Sequence, residues 1–330
     1  MKPKFVWMDG SIIPWEQATI HVSTEAVLRA ANVFEGMRAY PSHDNSDLRI
    51  FRNADHLKRL RQSAKIMRMS IRYTDDDLTA AFVDLIKANG FTDNVHFRPV
   101  VYFGEGESNQ FDPNEIHTGV FVLAFSRPQA NAVRQGVNSC ISSWRRSPDL
   151  SSPSRVKAAG NYHNSRLAHV EARVNGFGPP IMLNDRGKVS EGPASCFMMV
   201  RDGVVITPPV TADILEGITR ATLIELARAE LGMTVVEREI DRSETYICDE
   251  AFFCGSGAEI VPILSIDNYS VGGGSVGPLT REIQRLYFDV VSGKITKYRS
   301  WLTSVYEYAA VAAKDKGSSS EGKDTERQPG

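Results

Sequence analysis

Lys157 stands among small and apolar neighbours in the stretch Ser154-Arg155-Val156-Lys157-Ala158-Ala159-Gly160-Asn161-Tyr162. Desolvation favours the neutral form of an amine, so a lysine in such a setting can be nucleophilic near neutral pH. The chemistry open to it is a Schiff base with a carbonyl group on a cofactor or substrate. Tyr162 adds a phenol that could hydrogen-bond such a partner. Read alone, the same segment is also an ordinary surface lysine flanked by alanines, and Tyr162 an ordinary half-buried tyrosine.

Other residues bear on the choice. A phosphate-bearing cofactor needs backbone N–H groups, small residues that let it approach, and a cation. Gly217-Ile218-Thr219 opens a predicted helix, whose N-terminus favours an anion through its unpaired N–H groups and dipole. Gly255-Ser256-Gly257 follows a predicted strand and offers a hydroxyl beside a close-approach backbone. Arg59 is the candidate cation. Ser190-Glu191-Gly192 sets a carboxylate at a strand end, where it could keep a pyridine nitrogen protonated and make that ring an electron sink. Each of these alone is also a plain turn, helix start or solvated side chain.

The histidines show no HxH or HExxH spacing, so no metal site is expected. Gly272-Gly273-Gly274 precedes a polar loop and is not read as a strand-to-helix phosphate turn. Of 330 residues, 42% are hydrophobic and 24% charged, and the net charge is -2. That is globular composition without the basic excess that nucleic acid or an anionic membrane would call for. Small molecules or a second copy of the chain are the expected partners. Cys140, Cys196, Cys248 and Cys254 form no CxxC pair, which fits buried thiols in a reducing cytoplasm. The apolar run at 5–8 is too short for a signal or a membrane span, and no other stretch comes near spanning length.

The elements that must position these residues follow from periodicity. Strands at 5–8 and 11–15 around Asp9-Gly10 read as a hairpin. A helical stretch at 25–32 runs into an alternating strand at 33–40, and a short strand follows at 48–51. Asn53 or Asp55 caps a helix in which Leu57, Leu60, Ala64 and Met67 share one face and His56, Arg59 and Ser63 another. A second helix at 75–89 closes on Gly90. Strands at 95–103 and 119–125 flank a loop at 104–118. A new strand is expected at 137–144, and a meander at 181–183, 188–191, 196–200 and 204–207. Helices at 217–231 and 279–293 and a strand at 250–253 complete the second half. The low-apolar tail at 314–330 is expected to be disordered.

Taken together, these segments resemble the branched-chain aminotransferase family of fold type IV pyridoxal phosphate enzymes. The likeness rests on Val33-Phe34-Glu35-Gly36-Met37-Arg38, His56-Leu57-Lys58-Arg59-Leu60, Phe97-Arg98-Pro99, Lys157-Ala158-Ala159-Gly160-Asn161-Tyr162, Ser190-Glu191-Gly192, Gly217-Ile218-Thr219-Arg220, Gly255-Ser256-Gly257-Ala258-Glu259-Ile260 and Gly277-Pro278-Leu279-Thr280. It implies an α+β chain of two domains. A small α/β domain would span 1–125, a linker 126–134, and a larger cofactor domain with a barrel-like sheet 135–313. It also implies that Lys157 forms the Schiff base and carries the substrate proton, that Glu191 faces the pyridine nitrogen and that Tyr162 faces the phenolic oxygen. Arg59, Gly217, Ile218, Thr219, Gly255 and Ser256 would then hold the phosphate. Arg98 would read a carboxylate of the substrate, in particular the side-chain carboxylate of glutamate, with Phe34, Gly257 and Ala258 beside it.

The sequence departs from that family where the substrate would lie. Arg29 replaces a tyrosine, His96 replaces another, the linker is short of aromatic residues, and the Asn usual after Glu191-Gly192 is missing from Pro193-Ala194-Ser195-Cys196. If these residues line the pocket, it would suit an acidic or polar side chain better than valine or leucine. The resemblance implies a pyridoxal 5'-phosphate aminotransferase with L-glutamate as one partner, a 2-oxo acid as the other, and a homodimer with the site near its interface. The same Lys157 and Glu191 would serve a lyase of this fold acting on aminodeoxychorismate, or a D-amino acid aminotransferase.

Overall fold

The computed structural model describes residues 2–106, 112 and 115–308. The hairpin β1 (Phe5–Met8) and β2 (Ser11–Pro14) is followed by helix α1 (Glu25–Leu28) and strands β3 (Asn32–Phe34), β4 (Met37–Pro41) and β5 (Leu48–Phe51). Helices α2 (Asn53–Ile66) and α3 (Asp75–Asn89) lead to the long strands β6 (Val95–Gly106) and β7 (Ile116–Ser126). Next come α4 (Asn131–Gln135), β8 (Val137–Ser139), α5 (Asn161–Val174), β9 (Glu191–Gly192), β10 (Ser195–Arg201) and β11 (Val204–Thr207). The chain ends through α6 (Ile218–Ala229), β12 (Val235–Glu237), β13 (Glu250–Gly255), β14 (Glu259–Ile266), β15 (Tyr269–Ser270), α7 (Pro278–Val291) and β16 (Leu302–Ser304).

These strands make two sheets with helices packed on them, an α+β fold. The first sheet runs β16-β5-β4-β6-β7-β1-β2, antiparallel throughout, with β3 paired to β6. Helices α2 and α3 cover it because each carries an apolar stripe. Leu57, Leu60 and Ala64 of α2 and Leu78, Phe82 and Leu85 of α3 join Met37, Ile50, Val95 and Phe97 in one core. A large apolar side chain buried in this way is worth about 1.5–3 kcal/mol. Helix α3 starts on a capping box between Thr74 and Asp77 and closes on Gly90 at φ 67°.

The second sheet runs β12-β11-β10-β13-β14-β15, with β9 on β10 and β8 parallel to β14. Along β10, Cys196, Met198 and Val200 join Leu223 of α6 and Leu286 of α7, while Phe197 and Met199 join the core on the opposite face. A strand covered on both faces is continuously apolar, as this one is.

Several expectations need correction. The strand at 33–40 is two strands, broken where Glu35 turns into the interior and Gly36 passes close to His96: an added Cβ would lie 3.3 Å from His96 Cε1. The helix at 25–32 stops at Leu28, and Ala30 is left-handed at φ 53°. Neither Asn53 nor Asp55 caps α2; its N-cap is Arg52, left-handed at φ 52°. Trp15 leaves the hairpin for a short 3-10 turn, and the strand at 137–144 ends at Ser139. Helix α5 and strands β12 and β14 were not expected. Strands β6 and β7 extend into the expected loop at 104–118; residues 107–111 and 113–114 lie outside those described. So does the tail at 314–330.

Gly272-Gly273-Gly274 does lie between a strand and a helix, β15 and α7, and with Ser275-Val276-Gly277 it fits the letters of both GxGxxG and GxSxG. No phosphate has room at that helix start. The buried Glu250 carboxylate fills it, accepting from Leu279 N at 3.0 Å, Thr280 N at 2.7 Å and Thr280 Oγ1 at 2.6 Å. Among the described residues no helix is long and apolar enough to cross a membrane.

Candidate active site

Lys157 lies in a looped stretch bridged to the first sheet. Val33 and Ala158 form an antiparallel bridge, Phe34 N donates to Lys157 O at 3.0 Å, and Ala159 N donates to Asn32 O at 3.1 Å. Lys157 N donates to Ser63 Oγ of α2 at 3.2 Å. With its backbone N–H and C=O both taken, the residue is fixed in position. Helix α5 begins at once, and Asn161 Nδ2 ties its first turn to Pro153 O at 3.2 Å and Val156 O at 3.1 Å. That turn carries Tyr162, whose Oη accepts from Lys157 Nζ at 2.6 Å. The Phe34 ring lies 5.1 Å from Lys157 Nζ and 5.0 Å from the Tyr162 ring.

The lysine faces a cavity of about 400 Å³ between the two sheets, within the range of small-molecule sites. One end is built for an anion. Gly217 is the N-cap of α6 and brings no side-chain cap, so the first-turn N–H groups at Ile218 and Thr219 have no helical carbonyl to bond. Thr219 Oγ1 and Ser256 Oγ lie 3.5 Å apart, and Ser256 Oγ is 3.3 Å from His56 Nε2. Gly217 also has to be glycine, because a Cβ there would meet Cys196 Sγ at 2.6 Å.

Arg59 lines this end but is not a lone cation. Its Nε and Nη2 donate to Glu35 Oε1 and Oε2 at 2.7 and 2.8 Å, and Nη1 donates to Glu216 O at 2.7 Å. One hydrogen on each Nη is left for a ligand. The same carboxylate accepts from His56 Nδ1 at 2.8 Å. Burial would raise the Glu35 carboxyl, but Arg59 with His56 overrides it and holds it well below the usual carboxylate range. Burial pulls His56 below its ordinary value against the attraction of Glu35. A neutral His56 then donates from Nδ1 and accepts at Nε2, which orients the Ser256 hydroxyl.

On another wall, the Oε1 of buried Glu191 stands 2.8 Å from Arg146 Nη2, a charge contact without hydrogen-bond alignment, and accepts from Leu215 N at 3.2 Å. Burial lifts its carboxyl above the ordinary value, with Arg146 working the other way. Gly255, Gly257 and Ala258 lie at the turn between β13 and β14 and line the cavity. Arg38 clamps that turn through Nε to Ser256 O at 3.0 Å and Nη2 to Gly257 O at 3.1 Å. Arg38 itself stands 3.2 Å from buried Glu259, a charge contact without hydrogen-bond alignment.

His96, buried in β6, and Arg98, whose guanidinium lies 5.1 Å over the Phe34 ring, also line the cavity. Arg29 does not. It is exposed at the end of α1, pairs with Glu25, and borders a separate cavity of about 390 Å³. Sequence reasoning passed over Glu35, Arg38, Arg127 and Arg146. A lone carboxylate in the apolar run Val33-Phe34-Glu35 was a legible signal, since a buried charge requires a partner. Arg127 and Arg146 reach the cavity from distant points of the chain and carry no spacing signal.

Residues 32–266 match the family model described as Amino-transferase class IV. A protein from Salmonella typhimurium named Branched-chain-amino-acid aminotransferase is 38% identical over 92% of this chain and 98% of its own length. The crystal structure of the branched-chain amino acid aminotransferase from Thermobaculum terrenum in its PLP-form is 42% identical, with a TM-score of 0.86 over 92% of this chain and 99% of that one. A second solved branched-chain amino acid aminotransferase, complexed with N-(5'-phosphopyridoxyl)-L-glutamate, is 34% identical, with a TM-score of 0.85 over 92% and 99% of the two chains.

Proposed function

The chain belongs to the class IV aminotransferases, within the branched-chain aminotransferase family, and on that premise we propose a ping-pong transfer of an amino group between L-glutamate and a 2-oxo acid. Enzymes of this class use pyridoxal 5'-phosphate, and the residues present fit it. The Lys157 amine suits its aldehyde, the α6 N-terminus with Thr219, Ser256 and Arg59 suits its phosphate, Glu191 suits its ring nitrogen, and Tyr162 suits its phenolic oxygen. When bound, the cofactor supplies an electron sink for the charge left as the substrate loses a proton.

The chain's residues do the rest. Lys157 Nζ would carry the proton from the substrate Cα to the cofactor's C4′ in one half and back in the other, held in line by Tyr162 Oη and by the backbone bonds to Phe34 and Ser63. Glu191, fixed by Arg146 and Leu215 N, holds its carboxylate toward the ring position. Arg98 reads a substrate carboxylate through its planar fork. With His96 beside it, the pocket favours an acidic or polar side chain over a branched apolar one. The phosphopyridoxyl-glutamate adduct bound by the second solved relative supports glutamate as donor.

We further propose a homodimer of cytoplasmic subunits, each divided into domains at 1–125 and 135–313. Exposed Val22, Val27, Leu28, Trp144 and Leu150 support an interface, and free buried cysteines suit a reducing compartment.

The observation that carries the transaminase reading is the 2.6 Å contact of Lys157 Nζ with Tyr162 Oη in a cavity that also holds the anion cup and Glu191. The test is to reduce the cofactor-loaded protein with borohydride and map the labelled peptide. Lys157 should carry the label, glutamate should bleach the visible band, and a 2-oxo acid should restore it. A label elsewhere, or pyruvate release that needs no acceptor, would overturn the reading.

A further inference from the structure

His56 belongs to a buried chain of groups that runs from a carboxylate to the anion cup. The ring is 1% exposed, with Nδ1 at 2.8 Å from Glu35 Oε2 and Nε2 at 3.3 Å from Ser256 Oγ. Thr219 Oγ1 lies 3.5 Å from the same Ser256 oxygen. Both ends are fixed. Arg59 holds Glu35 at 2.7 and 2.8 Å, and Arg38 donates to Ser256 O at 3.0 Å. What can change in this chain is where its protons sit.

The hydrogens do not suit a phosphate as they stand. Glu35 is ionised, and a carboxylate only accepts, so His56 Nδ1 carries the hydrogen between them. A neutral imidazole then has none at Nε2, and the Ser256 hydroxyl donates to it. Ser256 is left with lone pairs toward the cup. A phosphate monoester above about pH 6 is a dianion that also offers only lone pairs.

The charges do not suit it either. Glu35 and Arg59 cancel, neutral His56 adds nothing, and the start of α6 supplies about half a unit. One proton on Nε2 mends both faults. His56 then donates at both nitrogens, Ser256 turns its hydrogen to the anion, and an imidazolium separates the Glu35 carboxylate from Ser256 and the cup. Several groups face that ring. Burial opposes a proton there, Glu35 between β3 and β4 favours it, and Arg59 of α2 and Lys157 of the loop before α5 oppose it. The turn after β13 brings Ser256 and the start of α6 brings Thr219, both uncharged. Together they hold the ring below its ordinary value.

We propose that seating a phosphate in the cup draws one proton from solvent onto His56 Nε2, so that the cofactor is held through a proton-linked relay of Glu35, His56 and Ser256. This rests on the transaminase reading and adds a regulation to its cofactor site. His56 is a positioning residue that acts on the phosphate through Ser256. Because binding takes up a proton, affinity falls as pH rises above the value of the ring in the cofactor-free chain.

The test is calorimetric titration of the cofactor-free full-length chain with sulfate, in two buffers of unlike ionisation enthalpy. Sulfate is a dianion that takes no proton of its own near neutral pH. At about pH 7.5 wild type should take up about half a proton or more per sulfate, and affinity should fall about three- to tenfold from about pH 7 to about pH 8. His56→Gln should take up none and lose the pH dependence. Pyridoxamine 5'-phosphate should take up the same fraction more than pyridoxamine, which lacks the phosphate. Nitrogen-15 shifts of the His56 ring in wild type read the same proton without a variant. An uptake below about a tenth of a proton, or the same uptake in His56→Gln, would overturn the proposal. So would uptake with pyridoxamine 5'-phosphate but not with sulfate, which would put the proton on the phosphate itself. If neither pyridoxamine nor its phosphate binds, the transaminase reading fails, and the sulfate titration still decides the relay.

Discussion

The Glu35 carboxylate grips Arg59 with both oxygens, at 2.7 and 2.8 Å, from a wholly buried position. Removing one partner of such a pair leaves the other charge stranded, at a cost of about 3–5 kcal/mol. Glu35→Gln should therefore lower the urea midpoint and also loosen cofactor retention, because Arg59 and His56 lose their shared anchor. Dialysis followed by absorbance reads the second effect. A variant that unfolds earlier but keeps the cofactor as tightly would confine Glu35 to the fold.

Tyr162→Phe removes the acceptor of the Lys157 hydrogen bond together with the hydroxyl proposed to face the cofactor's phenolic oxygen. A bond of this kind is worth about 0.5–1.5 kcal/mol net, so the glutamate half-reaction should slow by roughly two- to tenfold. Stopped-flow absorbance at saturating glutamate measures it. An unchanged rate would show that the phenol does not tune the lysine.

Gly217→Ala should overpack the start of α6 against Cys196 Sγ, which would lie 2.6 Å from the new methyl. Overpacking costs about 1–3 kcal/mol. Cys196→Ala removes the obstructing sulfur, so the double variant should recover most of the loss in a thermodynamic cycle. Additive losses would mean the clash is relieved elsewhere.

His96 makes stability depend on pH. Its folded value, about 3, lies below the ordinary 6.5. Between these values the unfolded chain binds the extra proton, so the contribution is intact above about 6.5 and is lost as pH falls toward 3. Between pH 7 and pH 5 wild type should lose about 2 kcal/mol more than His96→Leu. Parallel losses in urea melts would show that His96 takes up its proton in the folded protein.

Arg29 stands outside the cavity of its own chain, and in the homodimer proposed above its route to a pocket is across the interface. Arg29→Tyr should then raise turnover of leucine relative to glutamate. An unchanged ratio in a donor screen would leave Arg29 with its local pairing to Glu25.

Elements with a local signature were legible in the sequence. Thr74, Asp77 and Gly90 bound α3, and Leu223, Leu226 and Ala227 mark the buried face of α6. Helix α5 was missed because Ser165, Ala168 and Ala172 are the residues it buries, a stripe too small to stand out as apolar. The candidate site was legible as residue types in order, and the cavity unites Lys157, Tyr162, Glu191, Arg59, Thr219 and Ser256. What held them was not legible. The partnerships of Glu35 with Arg59, of Glu191 with Arg146 and of Arg38 with the Ser256 turn span long separations in the chain, and no spacing rule encodes them. Arg29 failed to join for the same reason: proximity in sequence to Val33-Phe34 did not bring it to the same face.

The last described strand, β16, returns to the first sheet and pairs with β5, with Leu302 opposite Phe51 and Ser304 opposite Arg49. On the ribosome, synthesis runs from the N-terminus and domains tend to fold as they emerge. Here the β5 edge of the first sheet stays uncapped until Leu302–Ser304 have emerged, about 250 residues after β5 itself. The nascent polypeptide thus exposes an unpaired β5 edge between the emergence of β5 and that of β16, a window in which chaperone engagement or truncation would be felt most. Truncations that remove β16 should consequently leave an N-terminal sheet prone to edge-to-edge association, however complete the residues around Lys157.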